Sequence, residues 1–385
     1  MHTYLDNSAT TPMLTAVLEA MSPYWQTKFA NPSSPHHLGV VVESTLNQCR
    51  QILAQLLDVK AEEIYFTAGG TEANNLALQG LARAYGRAGH MITSPTEHDS
   101  VLQVAHFLEQ DLGWDITYLS VDRLGRVNLE ELRNAITPRT KIISIMMVNN
   151  EIGTIQPIAE IGSIIKEVNQ VRQDKIVFHV DAIQSLGRLP FTIHALNIDM
   201  LSISGHKIFG PKGSALLFVR RGIQISPVIF GGGQERTLRS GTENIPAIVG
   251  LTKACQIVLQ SQHKNIIELT QKRDSLLEGL AEIPGITFNS HRTGAPHIVN
   301  LQFAGLRGEV LVHFLEQRGV FVSMGAACTA RKQSISHVLQ AVGLTPEEAS
   351  SSLRISLSSI TTMEEIAYAI KVMQTTVTEL RAIYH

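Results

Sequence analysis

The stretch Met200-Leu201-Ser202-Ile203-Ser204-Gly205-His206-Lys207 joins an apolar run, typical of a buried strand, to a short turn that ends in a lysine. A second run of the same type, Ile176-Val177-Phe178-His179-Val180, ends at Asp181. In open parallel α/β sheets, ligands bind beyond the carboxyl ends of the strands. Lys207 and Asp181 are therefore predicted to lie where a ligand would bind.

This lysine and aspartate match the needs of an aldehyde cofactor that contains a ring nitrogen. Lys207 would hold pyridoxal phosphate as an imine, and Asp181 would keep the pyridine nitrogen protonated, so that the ring withdraws electrons from the substrate carbon. Each residue alone has an ordinary alternative, since a lysine in such a turn is often a solvated surface charge and an aspartate often caps the next turn. Their positions after two buried strands favour the cofactor.

Residues 64–72 read as a strand, a glycine turn and the start of a helix that runs to about Ala88. The first turn of that helix would present free N–H groups to a phosphate, and Thr71 would add a hydroxyl. The alternative is a capped strand-helix turn without a ligand. No Gly-Lys dipeptide occurs in the chain and no G-x-G-x-x-G follows a strand, which disfavours nucleotide and dinucleotide sites.

An ordered set of motifs resembles the cysteine desulfurases, a group of class V aminotransferases among the fold-type I pyridoxal phosphate enzymes. The resemblance spans nearly the whole chain. It is carried by residues 4–12, 31–34, 96–98, 148–153, 179–184, 204–207, 231–236, 239–242 and 325–329.

The resemblance implies roles for individual residues around the cofactor. His98 would stack on the ring and help to move protons, while Gln184 and Asn150 would form hydrogen bonds near the ring hydroxyl and the substrate. Thr242 would reach the phosphate of the neighbouring subunit, so the site would be completed across a homodimer. The residues that would bind the phosphate within one chain are Gly70, Thr71, Ser204 and His206.

Cys328 is the nucleophile that the resemblance implies. It follows the small residues 325–327 and precedes Arg331 and Lys332, two cations that could favour the thiolate. Cys49 and Cys255 lie in helical, apolar-periodic segments instead, where a thiol behaves as a small hydrophobe. Members of the family often have Ser-Gly-Ser-Ala-Cys where this chain has Ser-Met-Gly-Ala-Ala-Cys, at residues 323–328. This difference bears on how tightly the loop is held and on which acceptor protein it meets.

The implied reaction removes sulfur from L-cysteine. Lys207 would take the α-proton, the Cys328 thiolate would attack the substrate sulfur, and L-alanine would leave a persulfide behind. Arg354 would clamp the substrate carboxylate with its planar fork. A sulfur-acceptor protein, such as an iron-sulfur scaffold, would then receive the sulfur for iron-sulfur cluster, thio-cofactor or tRNA synthesis.

Other activities on the same scaffold stay open. Selenocysteine lyase, cystine lyase and aminotransferase are the alternatives, and they differ from a desulfurase at the nucleophile. A non-catalytic assembly platform is disfavoured, because Asp181, Lys207, Cys328 and Arg354 are all present.

Composition indicates an enzyme without a nucleic-acid or membrane partner. The chain has 385 residues, 44% of them apolar and 17% charged, and its net charge of −2 leaves no basic surface for nucleic acid. The start lacks the basic and apolar regions of a signal peptide, and no run of eighteen apolar residues occurs. Three cysteines, an odd number, argue against a disulfide framework and favour the cytoplasm. No metal site is predicted.

The alternation of strands and helices predicts an α/β fold: a large domain with a mostly parallel seven-stranded sheet, plus a smaller α+β domain. The resemblance identifies this as the aspartate aminotransferase-like fold. Residues 16–254 would form the large cofactor-binding domain, and residues 1–15 and 255–385 the smaller domain that carries Cys328. The predicted strands of the large sheet are residues 64–67, 91–94, 116–121, 142–148, 176–181, 200–204 and 215–219. The remaining predicted elements are a helix over 247–280 interrupted near Gln262, strands over 298–303, 320–323 and 353–357, and a helix over 363–383.

Overall fold

The computed structural model describes residues 2–86, 88–324 and 335–384. Its strands are β1 (Thr3–Tyr4), β2 (Ile64–Thr67), β3 (His90–Thr93), β4 (Asp115–Tyr118), β5 (Thr140–Ser144), β6 (Val177–Asp181), β7 (Met200–Ser204), β8 (Ala215–Val219), β9 (Ile286–Phe288), β10 (Ile298–Phe303), β11 (Val320–Phe321) and β12 (Ser352–Ser356). Its helices are α1 (Thr15–Met21), α2 (Pro23–Gln26), α3 (His37–Leu57), α4 (Gly70–Tyr85), α5 (Asp99–Leu112), α6 (Leu129–Ala135), α7 (Ile158–Gln170), α8 (Ile245–Gln260), α9 (Gln262–Ala281), α10 (Gly308–Gln317), α11 (His337–Ala341), α12 (Pro346–Ser350) and α13 (Met363–Tyr384). Short 3₁₀ turns lie at Ala61–Glu63, Gly205–Lys207 and Glu235–Thr237.

Seven of the described strands form the larger sheet, in the order β2-β8-β7-β6-β5-β3-β4. β8 is antiparallel to both of its neighbours, while the pairs β7-β6, β6-β5, β5-β3 and β3-β4 are parallel. The prediction of a mostly parallel seven-stranded sheet is confirmed. Because β6 and β7 are adjacent and parallel, their carboxyl ends meet at the same edge of the sheet.

One predicted strand is shorter than its apolar run. The strand predicted over residues 142–148 ends at Ser144, and residues 145–148 stay buried outside the strand. The Met146 backbone N–H donates to Glu97 Oε1 at 2.8 Å rather than to a neighbouring strand. A buried carboxyl group therefore takes over a backbone bond that a longer strand would have used.

The helices end close to the glycine and polar residues at which the sequence predicted an end or an interruption. The helix predicted to run to about Ala88 ends at Tyr85, because Gly86 adopts a φ of 86° that ordinary helical residues avoid. The long helix predicted over residues 247–280 is divided at Ser261 into α8 and α9, next to the interruption predicted at Gln262.

Two small sheets form beside the larger one. β10 pairs antiparallel with β12 and with β9, while β1 pairs in parallel with β11. In the first of these pairs Asn300 lies opposite Arg354. Since β1 begins at Thr3 and β11 at Val320, the N-terminal segment pairs with residues more than 300 positions later in the sequence.

Apolar side chains pack in separate clusters on the two faces of the larger sheet. Successive residues of β6 alternate between them: Phe178 packs with residues of α3, α7 and α8, and Val177 with residues of α4 and α5. A third cluster contains Leu5 and Leu353 together with residues of α9 and α13. This separate cluster supports the division into two domains, which remains a prediction. In the described ranges, no helix has both the length and the apolar character that crossing a membrane requires.

Candidate active site

A cavity of about 300 Å³ lies at the edge of the sheet where β6 and β7 end. It brings together residues that were predicted from six separate segments of the sequence. These predicted residues are Gly70, Thr71, His98, Asn150, Asp181, Gln184, Ser204, His206, Lys207 and Arg354. Residues around the same cavity that the sequence analysis did not select include Glu97, Ser100, Glu151 and His337.

Lys207 ends the 3₁₀ turn that follows β7, and its amine points to the start of the chain. Nζ donates hydrogen bonds to the carbonyl of Ser8 at 2.6 Å and to the carbonyl of Ala9 at 2.8 Å. Both carbonyl residues also line the cavity. The N-terminal segment therefore forms the wall against which the amine is held.

Asp181, the last residue of β6, is 5% exposed. Its Oδ2 accepts a hydrogen bond from Asn74 Nδ2 at 2.8 Å, and its Oδ1 accepts one from the Ile183 backbone N–H at 3.0 Å. Hydrogen bonds to an ionised carboxylate are stronger than those between neutral groups. The two donors fix the carboxylate at the cavity and compensate part of its lost hydration.

His98 is the N-cap residue of α5. Its Nδ1 accepts a hydrogen bond from the Ser100 backbone N–H at 3.1 Å and lies 2.9 Å from Ser100 Oγ. A nitrogen that accepts from a backbone N–H carries no proton of its own, so the neutral ring holds its proton on Nε2. The cap thus fixes both the orientation and the tautomer of a histidine at the cavity.

The start of α4 has the features of a phosphate site. Among the described residues no side chain caps this helix at Gly69, so N–H groups of its first turn remain available. A Cβ on Gly70 would lie 2.2 Å from Ile183 Cδ1, so a larger residue would require the Ile183 side chain to move. Within the described part of the chain, the buried Ser204 Oγ has no hydrogen-bond partner, and it needs a ligand acceptor or donor.

His206 adds a neutral imidazole to this region. Burial, together with the charges of Lys207 and Lys212, lowers the pKa of His206 to about 4. Its Nδ1 lies 3.1 Å from Thr10 Oγ1. Together with the unpartnered hydroxyl and the open helix start, these groups fit the phosphate of pyridoxal phosphate, while Asp181 and Lys207 fit its ring nitrogen and aldehyde.

Arg354 lies in β12, and its side chain is 2% exposed. One guanidinium nitrogen, Nη2, donates to Asp6 Oδ1 at 2.7 Å, and Nη1 donates to the carbonyl of Asn150 at 3.0 Å. Arg354 was predicted from the sequence, whereas its partner Asp6 was not, although Asp6 belongs to the N-terminal motif. The carboxylate holds a buried cation in place at the cavity.

Gln184 connects the cavity to a buried arginine. Its Nε2 donates to the carbonyl of Ser8 at 3.0 Å, and its Oε1 accepts from Arg188 Nη1 at 2.8 Å. Arg188 Nη2 in turn donates to the carbonyl of Lys207 at 2.6 Å. The amide therefore lies between the N-terminal segment and the lysine turn.

Glu97 is the main residue at the cavity that sequence reasoning missed. It is fully buried, and burial raises its pKa well above the usual range, although the hydrogen bond from Met146 N–H opposes this. Its second oxygen, Oε2, has no partner among the residues described here. The signal was present in the sequence, because Glu97 directly precedes His98.

One predicted residue, Thr242, lies away from the cavity in this chain, and another, Cys328, is not among the described residues. Thr242 lines a separate cleft of about 170 Å³ with Arg239 and Glu243. Cys328 lies in residues 325–334, outside the described residues, so the prediction for this nucleophile is untested. Across the ranges that are described, no cluster of three or more His, Cys, Asp or Glu residues could hold a metal ion.

Comparison with known proteins identifies the family. The family described as Aminotransferase class-V matches residues 3–368. The chain is 44% identical to the cysteine desulfurase IscS of Methanosarcina thermophila over 98% of this chain and 92% of that protein. It is 42% identical to the protein of the same name from Dictyoglomus turgidum, over 99% of this chain and 95% of that protein.

Solved structures show the same likeness in three dimensions. A NifS-like protein matches with a TM-score of 0.92 at 35% identity, covering 98% of this chain and 100% of that chain. SspA in complex with cysteine matches with a TM-score of 0.79 at 38% identity, covering 94% of this chain and 100% of that chain. The protein therefore belongs to the class V aminotransferase family of pyridoxal phosphate enzymes, within its cysteine desulfurase group.

Proposed function

We propose that the protein removes sulfur from L-cysteine, releases L-alanine and leaves a persulfide on Cys328. The observation that carries this proposal is the convergence of Lys207, Asp181 and Arg354 on one cavity. These side chains offer an amine for an aldehyde, a carboxylate for a ring nitrogen and a cation for an amino-acid carboxylate. The identity of more than 40% to two proteins named cysteine desulfurase supports the same reaction.

Bound pyridoxal phosphate supplies an aldehyde carbon that amines attack and a ring that accepts electrons from the substrate. The negative charge of Asp181, fixed by its two donors, would hold the ring nitrogen in its protonated form. The residues proposed to hold the cofactor within one chain are Gly70, Thr71, His98, Asn150, Asp181, Gln184, Ser204, His206 and Lys207.

Arg354 and Lys207 position the substrate and take its proton. The Arg354 guanidinium, fixed by Asp6 and the Asn150 carbonyl, would bind the substrate α-carboxylate, with the Asn150 side chain beside it. The Lys207 amine would accept the α-proton at Nζ. His98, with Nδ1 occupied by Ser100, would offer Nε2–H toward the reacting groups.

Cys328 would perform the sulfur transfer. Its thiolate attacks the substrate sulfur, a sulfur-sulfur bond forms, the carbon-sulfur bond breaks, and the released electron pair goes to the substrate carbon skeleton. A proton then takes the place of the sulfur on that carbon, which gives alanine.

Described residues on both sides of residues 325–334 support this role, because they line the cavity or contact residues that line it. Before the segment, the Ser323 backbone pairs with Arg354. After it, Ser336 Oγ donates to Glu151 Oε2 at 2.6 Å, and His337 Nε2 lies 2.9 Å from the carbonyl of Glu97. Glu151 and His337 line the cavity.

The proposal extends to assembly and to the next step of sulfur transfer. We propose a homodimer in which Thr242 serves the neighbouring subunit, since in its own chain this residue faces a separate cleft. A sulfur-acceptor protein, such as an iron-sulfur scaffold, would take the persulfide sulfur. The odd cysteine count supports a cytoplasmic location.

Mass spectrometry after brief exposure to L-cysteine tests the proposal. The expected result is one added sulfur on the peptide that contains Cys328, alanine in solution, and a yellow protein before the substrate is added. Cys328→Ala should keep the yellow colour and lose both sulfur transfer and alanine release, whereas the matched control Cys49→Ala should keep them.

Three outcomes would contradict the proposal in different ways. Alanine release by Cys328→Ala would indicate a lyase that needs no thiol. Amino-group transfer to an oxo acid without sulfur release would indicate an aminotransferase. A colourless protein that gains no sulfur would indicate a non-catalytic platform.

A further inference from the structure

Asn74 lies on the first turns of α4 and is completely buried. Its side-chain nitrogen donates to Asp181 Oδ2 at 2.8 Å and to Ser100 Oγ at 2.9 Å. The carboxylate fixes the orientation of this amide, because the opposite orientation would place the amide oxygen against the negative charge. Both N–H groups of the amide nitrogen are therefore used.

The Ser100 hydroxyl must accept at this contact, since the amide nitrogen can only donate. Its own hydrogen then has one described acceptor within reach, His98 Nδ1 at 2.9 Å. The Ser100 backbone N–H donates to the same ring nitrogen at 3.1 Å. A continuous series of hydrogen bonds thus links His98 to Asp181, with Asn74 donating to Asp181 on one side and to Ser100 on the other, and Ser100 donating on to His98.

We propose that Asn74 and Ser100 are positioning residues that couple Asp181, the carboxylate for the cofactor ring, to His98, the histidine that transfers protons. The roles of Asp181 and His98 in this inference rest on the proposed function. Asn74 sets the distance between the two groups, because one buried amide holds an oxygen of Asp181 and the hydroxyl that contacts His98. The hydroxyl adds a second donor to Nδ1 beside the Ser100 backbone N–H, and so helps to hold a ring whose proton lies on Nε2.

A purely structural role would give a different pattern. The backbone N–H of Ser100 already provides the cap contact, so α5 does not need the hydroxyl to begin. A serine that only stabilised the fold would change the unfolding midpoint and leave the His98 ring signals unmoved. A positioning residue changes those signals in the folded protein.

The test is nitrogen-15 NMR of the histidine rings in the full-length protein with its cofactor, before any L-cysteine is added. His98→Asn identifies the His98 signals by their loss. The variants are Ser100→Ala, Asn74→Ala and the double variant, with Ser100→Thr as the conservative exchange that keeps the hydroxyl. Ser144→Ala is the matched control, because Ser144 Oγ lies 2.8 Å from Nδ1 of a different buried histidine, His179.

The expected result is a displaced His98 Nδ1 signal in Ser100→Ala and in Asn74→Ala. Ser100→Thr should restore it, and Ser144→Ala should leave it unchanged while the His179 signal moves. With L-cysteine, Ser100→Ala should lower kcat about fivefold, which is the effect of about one hydrogen bond, with little change in KM. The double variant should lose less than the product of the single losses, since the two residues act in series.

An unmoved His98 Nδ1 signal in Ser100→Ala would overturn the inference. A loss of kcat in the double variant equal to the product of the two single losses would also overturn it. Failure of the proposed function gives a separate result. In that case no variant would form alanine, yet the ring signals would still report whether Ser100 and Asn74 hold His98.

Discussion

We expect Glu235→Gln to destabilise the fold strongly, because Glu235 neutralises a buried arginine. Glu235 Oε1 and Oε2 accept from Arg50 Nη2 at 2.7 Å and Nη1 at 2.9 Å, and Oε2 also accepts from the Phe66 backbone N–H at 2.9 Å. The side chains of Arg50 and Glu235 are only 11% and 2% exposed. The Arg50 guanidinium also lies 4.8 Å from the centre of the Phe66 ring.

The magnitude follows from this arrangement. A glutamine keeps one acceptor oxygen, so its amide N–H₂ would face one nitrogen of Arg50, and the buried guanidinium would lose its counter-charge. Removing one partner of a buried ion pair costs about 3–5 kcal/mol. Arg50→Met should also destabilise, because it leaves Glu235 with only the Phe66 N–H, and the double variant should cost clearly less than the sum.

The measurement is urea unfolding of the two single variants, the double variant and the parent protein, followed by circular dichroism at fixed protein concentration. The control is Glu167→Gln, which removes an exposed ion pair with Arg133. The side chains of Glu167 and Arg133 are 67% and 53% exposed, so this change should alter the free energy of unfolding by less than about 1 kcal/mol. Single-variant losses below about 1 kcal/mol that simply add would refute the reasoning.

Thr237→Gly should raise the free energy of unfolding by about 1 kcal/mol, because Thr237 holds a φ of 70° that a β-branched residue avoids. An unchanged or lower urea midpoint would contradict this. His179→Gln should make the free energy of unfolding less dependent on pH in acid. Burial lowers the pKa of His179 to about 3. Below about pH 6.5 the unfolded chain therefore binds a proton at His179 that the folded chain does not bind, which favours unfolding. Between pH 6 and 4 the slope of unfolding free energy against pH should become shallower by up to about 1.4 kcal/mol per unit. Parallel slopes for parent and variant would show that His179 is not the residue responsible.

Local sequence patterns predicted the sheet and the place of the site, because both depend on short-range features. Buried strands appear as apolar runs, and the polar residues that follow a run mark the edge of the sheet. This pattern predicted that Asp181 and Lys207 lie at the same edge, and both line the cavity. The patterns did not show where the regular strand β5 ends although the chain stays buried. Residues 145–148 are as apolar as a strand, yet a carboxyl group distant in sequence takes one of their backbone donors.

The hydrogen-bond partners of the site residues could not be predicted from local sequence patterns. Asp6 beside Arg354, and Asn74 and Ser100 between Asp181 and His98, are ordinary polar residues whose neighbours are set by the packing of separate helices and strands. The roles of the cavity residues and of Cys328 remain predictions, the latter because it lies outside the described residues. Family resemblance, rather than any local pattern, selected Arg354 and Thr242.

The contacts of the N-terminal segment with residues much later in the sequence have a consequence for biosynthesis. Asp6 and Arg354 are 348 positions apart, and Ser8 precedes the lysine that it contacts by 199 positions. A ribosome must therefore synthesise the chain beyond Arg354 before Asp6 can find its partner, and contacts this distant in sequence form late, because closing a long loop costs chain entropy. Until then, the nascent protein can carry a sheet but no working catalyst.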